Sequence, residues 1–356
     1  MARQMSADVD PRERIVHSLE EWREPGAAEV CERLREILGD AVSSDRIAHL
    51  EQLKPSVYRL RIDDGTGRSL VLKCHTPAIA QTDRLVAERW LPALGFGDRC
   101  PQLLAAAADR EGRRVWHVYE DLGHDNLAQQ RLSWRLAAAV DLIAELHARA
   151  AGHPLIPEIR WRARDHGAHF FMANLRDATA ALEALADMSR NGPSGFAAAR
   201  ARLLERLHGL LADAPRRVRI MEEHGGPDTL LHGDLWPKNV FVTGAHDRPC
   251  ARLIDWDHVG AGPFSYDVST FLYRSSPEER PWILRRYREV VERAGWRLPT
   301  DAELNLLFHT AEAARYAHDV LFDAIAALND NAEWGFEGLM DYERWFEALR
   351  PPLPES

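Results

Sequence analysis

The stretch LLHGDLWPKNVF, residues 230–241, carries an acid and an amide five positions apart, Asp234 and Asn239. Apolar pairs lead in and out, Gly233 permits a tight backbone, and Pro237 forbids a continuous helix. The two groups therefore sit on a loop between short extended segments. A carboxylate and an amide carbonyl on one loop are hard oxygen donors, suited to Mg²⁺ or to a proton transfer. A second acid, Asp255 in ARLIDWDHVGAGPFSYD, follows sixteen positions after Asn239, the length of one hairpin. A strand, a turn and a strand between them return Asp255 beside the first loop. Asp255 and Asn239 then share a divalent ion while Asp234 faces an incoming hydroxyl. Phosphoryl transfer requires that division of labour: neutralised phosphate charge, and a carboxylate orienting the nucleophile.

Such chemistry also needs a cation for the nucleotide phosphates. In LVLKC, residues 70–74, strand alternation points Lys73 opposite to Leu72 and Cys74. A half-buried ammonium requires a carboxylate, and Glu88 on the following helix is the natural partner. Taken alone, Lys73 and Glu88 read as a surface pair.

Several elements must position these groups. SVYRLRIDDGTGRSLVLKC, residues 56–74, alternates apolar and polar on both sides of DDGTG, a hairpin signature. Residues 12–38 read as helical, closed by Gly39, and DRLVAERWLPAL, 83–94, returns to helical spacing. RRVWHVYEDLG, 113–123, is a strand ending in glycine, and Leu132, Leu136, Val140, Ile143 and Leu146 form one helical stripe. Helical text broken at NGPSG and GGPDT fills 153–228, two short strands lie at 239–255, and from Tyr266 onward the chain is almost all helix. The expected organisation is α+β: a small β-rich N-terminal lobe, 1–122, and a larger, mostly helical lobe, 123–356, that contains the two late strands.

The bulk properties agree with an enzyme of this kind. The 356 residues suit two lobes, and 46% hydrophobic with 28% charged residues describes a packed globular chain. A formal net charge of −10 argues against a nucleic-acid binder and is compatible with cationic small substrates. Four scattered cysteines without a C-x-x-C point to reduced thiols and give no zinc site. The N-terminal residues lack a signal-peptide core and no apolar run approaches a membrane span, so a cytoplasmic protein with no membrane partner is expected. Oligomeric state is not encoded in any of these features.

The chain resembles the aminoglycoside phosphotransferase-like family of small-molecule kinases, relatives of choline kinases within the protein-kinase-like superfamily. The resemblance rests on LVLK (70–73), AERW (87–90), VYEDLG (118–123), AELHA (144–148), LLHGDLWPKNV (230–240) and LIDWDHVGAGPFSYDV (253–268), in the expected order. It implies a two-lobed protein-kinase-like fold, with ATP and Mg²⁺ as cofactors. Asp234 is then the catalytic acid, Asn239 and Asp255 the metal ligands, and Lys73, steadied by Glu88, the phosphate binder. Glu120 and Leu122 of VYEDLG would offer backbone groups to the adenine edge. Ser56, in a nucleotide-covering turn without a glycine-rich run, would bond a phosphate oxygen. His232 orients the loop and Asp267 braces it from below. Trp236 and Lys238 depart from the family pattern: Lys238 either reaches the transferred phosphate or points to solvent. Asp257 either touches the metal shell or is solvated.

Acceptor choice is the least legible property. In LNLLFHTAEAARYAHDVLFDAIAAL, Glu312, Asp319 and Asp323 recur at helical spacing with Tyr316, a face that suits a cationic amine if it lines a pocket and is otherwise solvated. WRARDHGAHFFMANL, 161–175, reads either as a lid or as packing. The resulting expectation is an ATP-dependent O-phosphotransferase acting on an amine-bearing small molecule such as an amino sugar or an aminoglycoside-like antibiotic. The alternatives are a choline, sugar or other metabolite kinase, and a non-catalytic pseudokinase, against which the complete Lys73, Asp234, Asn239 and Asp255 set argues. No long activation segment follows Asp255, which disfavours a protein kinase.

Overall fold

A computed structural model describes residues 24–38, 47–62, 67–186 and 193–354. The DDGT turn, the Gly39 cap and the first part of the expected N-terminal helix lie outside these residues. The chain forms two compact units. The first comprises the described residues up to Asp125 together with Phe241–Asp257; the second comprises Asn126–Val240 and the described residues from His258 on. The expectation that both late strands belong to the helical lobe is therefore corrected, because 241–257 folds with the first unit. The reason is local bonding: the Leu253 amide donates to the Arg99 carbonyl at 2.8 Å, and the Arg252 guanidinium donates to Glu120 at 2.7 Å.

In the first unit, strands β1 (Ile47–Lys54), β2 (Val57–Ile62), β3 (Ser69–His75), β4 (Leu103–Ala108) and β5 (Val115–Glu120) form an antiparallel sheet in the order β1-β2-β3-β5-β4. Alternation sorts its two faces. Tyr58, Leu60, Leu70, Leu72, Trp116 and Val118 are buried against helix α1 (Ala27–Leu38) through Val30 and Leu34. Val57, Arg59, Val71 and Lys73 line a cavity, with Val57 paired across from Lys73 and Arg59 across from Val71. Helix α2 (Pro77–Leu85) starts with proline in its first turn, where the missing N–H costs nothing. It runs into a single π-helical turn, Val86–Trp90.

The second unit is built from α3 (Ser133–Ala150), α4 (Ile156–Arg162), α5 (Ala168–Ala184), α6 (Phe196–His224), α7 (Ser265–Tyr273), α8 (Arg280–Arg293), α9 (Asp301–Asp330) and α10 (Glu333–Ala348). Its core joins Phe171 and Leu175 of α5, Phe196 and Leu207 of α6, and Phe336 and Leu339 of α10 around α9. Helix α9 presents Ala313, Ala317 and Ala324 there, small residues that let its neighbours approach closely, and a capping box of Thr300 and Glu303 sets its start. A short sheet orders Arg164–Asp165, Gly260–Gly262 and Thr229–Leu231, and the last of these strands delivers the chain into the HGD loop. Among the described residues, no helix is long and apolar enough to cross a membrane.

Candidate active site

In the first unit the sheet, α2 and the 241–257 segment line a partly open cavity of about 220 Å³, walled by Val57, Val71, Tyr119, Leu122, Phe241 and Ile254. Apolar walls with a few charged groups at one end suit a purine ring and its phosphates. Lys73 supplies the charged end. Its ammonium bonds the Asp255 carboxylate and, at 2.7 Å, Asp257, while Lys54 reaches the second Asp255 oxygen at 2.9 Å. Burial alone would raise the Asp255 carboxyl, but Lys73 and Lys54 outweigh it and hold it well below the usual carboxylate range. Burial and the neighbouring Asp255 raise Asp257 against the pull of Lys73. The Lys73 ammonium is held charged by the two carboxylates despite its burial. Asp255 has a left-handed backbone, φ 68°, uncommon for a residue with a side chain and typical of groups held in place for function. Asp257 is thus neither solvated nor isolated: it is the second carboxylate on Lys73.

Two expectations for this unit are corrected. Glu88 does not steady Lys73; it is exposed and pairs with Arg84 at 2.7 Å. Asp83 and Glu88 stand five positions apart, so helical spacing puts them on different sides: Asp83 faces in and Glu88 faces outward. Asp83 is buried and accepts from the Tyr119 hydroxyl and from His117 Nδ1 at 3.1 Å. The Ser56 hydroxyl, its single donor, goes to Glu24 at 3.3 Å, and Lys54 of the same turn is the group that reaches the cavity. Burial and Lys73 push His75 down to about 3, so its imidazole is neutral at physiological pH.

At the end of β5, Glu120 and Leu122 line the cavity. The Glu120 amide is taken by the Gln102 carbonyl at 3.1 Å. Asp121 is locked by Arg59 at 2.6 Å and Ser69 at 2.7 Å, and it accepts from the Gly123 amide at 2.9 Å. These bonds fix the segment's backbone. Sequence reading missed them because Arg59 and Asp121 stand 62 positions apart.

In the second unit the HGD loop is held from below through its backbone amides. Asp267, at the start of α7, accepts the His232 amide at 2.6 Å and the Gly233 amide at 2.9 Å, with His147 at 3.4 Å. Burial would raise this carboxyl; bonding to His147 and the backbone brings it below its ordinary value instead. Gly233 has φ 83°, and a Cβ there would lie 1.8 Å from the His258 carbonyl oxygen. We expect Gly233→Ala to destabilise the protein by more than about 3 kcal/mol, since strain and overpacking of backbone add. A melting temperature equal to that of the parent would show that the loop relaxes freely.

The loop turns back on itself after Asp234. The Asn239 amide NH₂ donates to the Asp234 carbonyl at 2.9 Å and to its Oδ2 at 3.2 Å, leaving the Asn239 carbonyl oxygen for a cation and Asp234 Oδ1 for another partner. Hard oxygen donors of this type, like the Asp255 carboxylate, fit Mg²⁺. Lys238 lies 4.5 Å over the Trp236 ring and is exposed, with Arg274 4.2 Å from the ring centroid.

Of the three acceptor candidates, two are corrected. Glu312 is fully buried and its carboxylate is spent on Arg274 at 2.9 Å, Arg315, Ser269 and Thr270. It anchors Arg315, which donates to the Gly233 carbonyl at 2.7 Å and stacks 4.1 Å from the Tyr266 ring centroid. Glu312 therefore supports the loop from behind. Asp323 is buried under α10, where a Cβ on Gly338 would lie 2.0 Å from its carboxylate. Burial, with Asp319 and Asp341 nearby, pushes the Asp323 carboxyl up to about 7. Asp319 remains: half-buried, bonded by the Tyr342 hydroxyl at 2.8 Å, and close enough to Asp234 and Arg315 for both to act on its charge. Residues 161–175 divide between α4, a short strand and α5, with Phe170 and His166 packed on Tyr266.

The sequence profile of the phosphotransferase enzyme family matches residues 48–299. No curated protein matches the chain in sequence. Solved structures resemble its fold at low identity. Choline kinase LicA from Streptococcus pneumoniae is 12% identical with TM-score 0.53, covering 89% of this chain and 99% of that one. Aminoglycoside phosphotransferase APH(3'')-Id from Streptomyces rimosus, solved with ADP and streptomycin, is 18% identical with TM-score 0.51, covering 81% and 98%. A variant of aminoglycoside 2'-phosphotransferase-IIIa solved with GDP is 13% identical with TM-score 0.55, covering 88% and 97%.

Proposed function

Because the chain belongs to the phosphotransferase enzyme family, we propose that it moves the γ-phosphate of ATP to a hydroxyl of a small amine-bearing molecule, such as an amino sugar or an aminoglycoside-like antibiotic. The observation that carries the nucleotide half is Lys73, braced by Asp255 and Asp257 at the charged end of an apolar cavity. The adenine lies between the apolar walls, its edge bonded by the Glu120 carbonyl and the Leu122 amide. Lys73 holds phosphate oxygens, with Lys54 beside it. Asp255 and Asn239 would hold Mg²⁺, which when bound neutralises phosphate charge. Asp234 Oδ1 accepts the proton of the acceptor hydroxyl, because Oδ2 is occupied by Asn239.

The amine preference rests on Asp319. A carboxylate raised by burial and by Asp234 gains most from a cation placed against it. A second reading, a quaternary-ammonium alcohol such as choline, is favoured by three rings grouped at that residue. Tyr342, the Asp319 donor, lies edge-on to Trp345 at 4.8 Å, and Tyr316 is 5.8 Å from Tyr342. The test is ATP consumption by the purified protein against amino sugars, aminoglycosides, choline and neutral sugars. With the accepted substrate, Asp319→Asn should raise the acceptor KM by about 5- to 100-fold and leave the KM for ATP unchanged, as expected when a charge-assisted hydrogen bond is lost. Turnover of neutral sugars alone, or an acceptor KM indifferent to Asp319→Asn, would remove the amine from the proposal.

A further inference from the structure

Behind the nucleotide cavity, α2 and strands β3 and β5 bring together three side chains that phosphotransfer does not use. We propose that His75, Asp83 and His117 bind a divalent transition-metal ion of the zinc type, separate from the Mg²⁺ of the reaction. One nitrogen of each imidazole and one Asp83 oxygen lie within 4.8 Å of one another. All three side chains are buried, with relative exposures of 3%, 7% and 1% for His75, Asp83 and His117. Two imidazoles with one carboxylate are the donors of zinc sites, whereas Mg²⁺ and Ca²⁺ take oxygen throughout.

A second observation points to a ligand independently. His75 Nε2 is buried and has no hydrogen-bond partner, and its Nδ1 is 3.8 Å from the nearest Asp257 oxygen, beyond hydrogen-bond reach. A buried imidazole nitrogen with no partner is costly, and a metal ion removes that cost by accepting its lone pair. The remaining donors satisfy one another: His117 Nδ1 lies 3.1 Å from Asp83 and 2.8 Å from the Tyr119 hydroxyl, which itself bonds Asp83. An ion replaces the His117–Asp83 bond, and the Tyr119 hydroxyl keeps its bond to Asp83 and orients that carboxylate. Each ligand comes from a different element, so the ion would pin α2 to the sheet two residues along the strand from Lys73.

The test uses the whole chain, stripped with a chelator and titrated with Zn²⁺ against a chromophoric competitor, then with Co²⁺. Expected are one ion per chain, the intense visible bands of four-coordinate Co²⁺, and X-ray absorption at the zinc edge showing scattering from two imidazoles. His75→Gln and His117→Gln should each weaken binding at least tenfold, while Asp255→Asn leaves it unchanged. Failure of the parent chain to take up Zn²⁺ overturns the site. So does an absorption spectrum without imidazole, uptake indifferent to both histidine variants, or uptake lost in Asp255→Asn. If the histidine variants do not fold, the absorption spectrum of the parent decides the matter alone.

Discussion

Asp234→Asn should lower kcat by roughly 10²- to 10⁴-fold while leaving nucleotide affinity and melting temperature close to those of the parent. The amide replaces a proton acceptor at the atom assigned to the substrate hydroxyl and changes nothing in the first unit, where the nucleotide cavity lies. The loop itself should persist, since its bonds come from elsewhere. Asp267 accepts the His232 and Gly233 amides, and Arg315 donates to the Gly233 carbonyl. The bond from the Asn239 side-chain amide to the residue 234 carbonyl also survives the substitution. Turnover measured with the accepted substrate, beside calorimetric titration of the nucleotide, separates the two properties. Retention of more than half the parental rate would take the proton-accepting role from Asp234.

Asp255→Ala should cost on the order of 100-fold or more in Mg²⁺-dependent nucleotide affinity, because the phosphates lose the carboxylate that would hold their bridging cation. The same change frees two ammonium groups. Among the described residues, Lys54 loses the one carboxylate bonded to it, and Lys73 keeps Asp257. Nucleotide binding without Mg²⁺ should therefore be retained or strengthened, and the sign of the Mg²⁺ effect is the discriminating quantity. Calorimetry in Mg²⁺ and in chelator provides it. Equal losses under both conditions would mean that Asp255 shapes the cavity and holds no metal. An affinity equal to the parent in Mg²⁺ would remove it from the site altogether.

The acidic face of α9 shows how a helical stripe is misread. Glu312, Asp319 and Asp323 do share a face, as their spacing requires. Spacing does not say what covers that face. Arg274 and Arg315 neutralise Glu312, α10 closes over Asp323, and Asp319 stays half-buried, bonded by the Tyr342 hydroxyl. Both readings offered by the sequence, a solvated face and a row of substrate ligands, treated the three acids as equivalent. Burial made them different.

Much of the chemistry was nonetheless written locally. Strand alternation in SLVLKCH turns Lys73 onto the face of Val71, and residues 230–241 hold Gly233, Asp234 and Asn239 within one loop whose geometry only glycine permits. These depend on neighbours a few positions away, so period and turn chemistry suffice to place them. The fold class was legible for the same reason, since a strand-rich first third followed by helical text leaves few architectures. The partners of those groups were decided by the tertiary structure. Glu88 reads as the counter-ion of Lys73, but in the fold it is exposed and pairs with Arg84 one turn back on its own helix. Lys73 instead meets Asp255 and Asp257, more than 180 positions away, and the segment that carries them folds with the first unit. Charge pairing in a folded chain is chosen by distance and desolvation, and both are set only when the chain closes on itself.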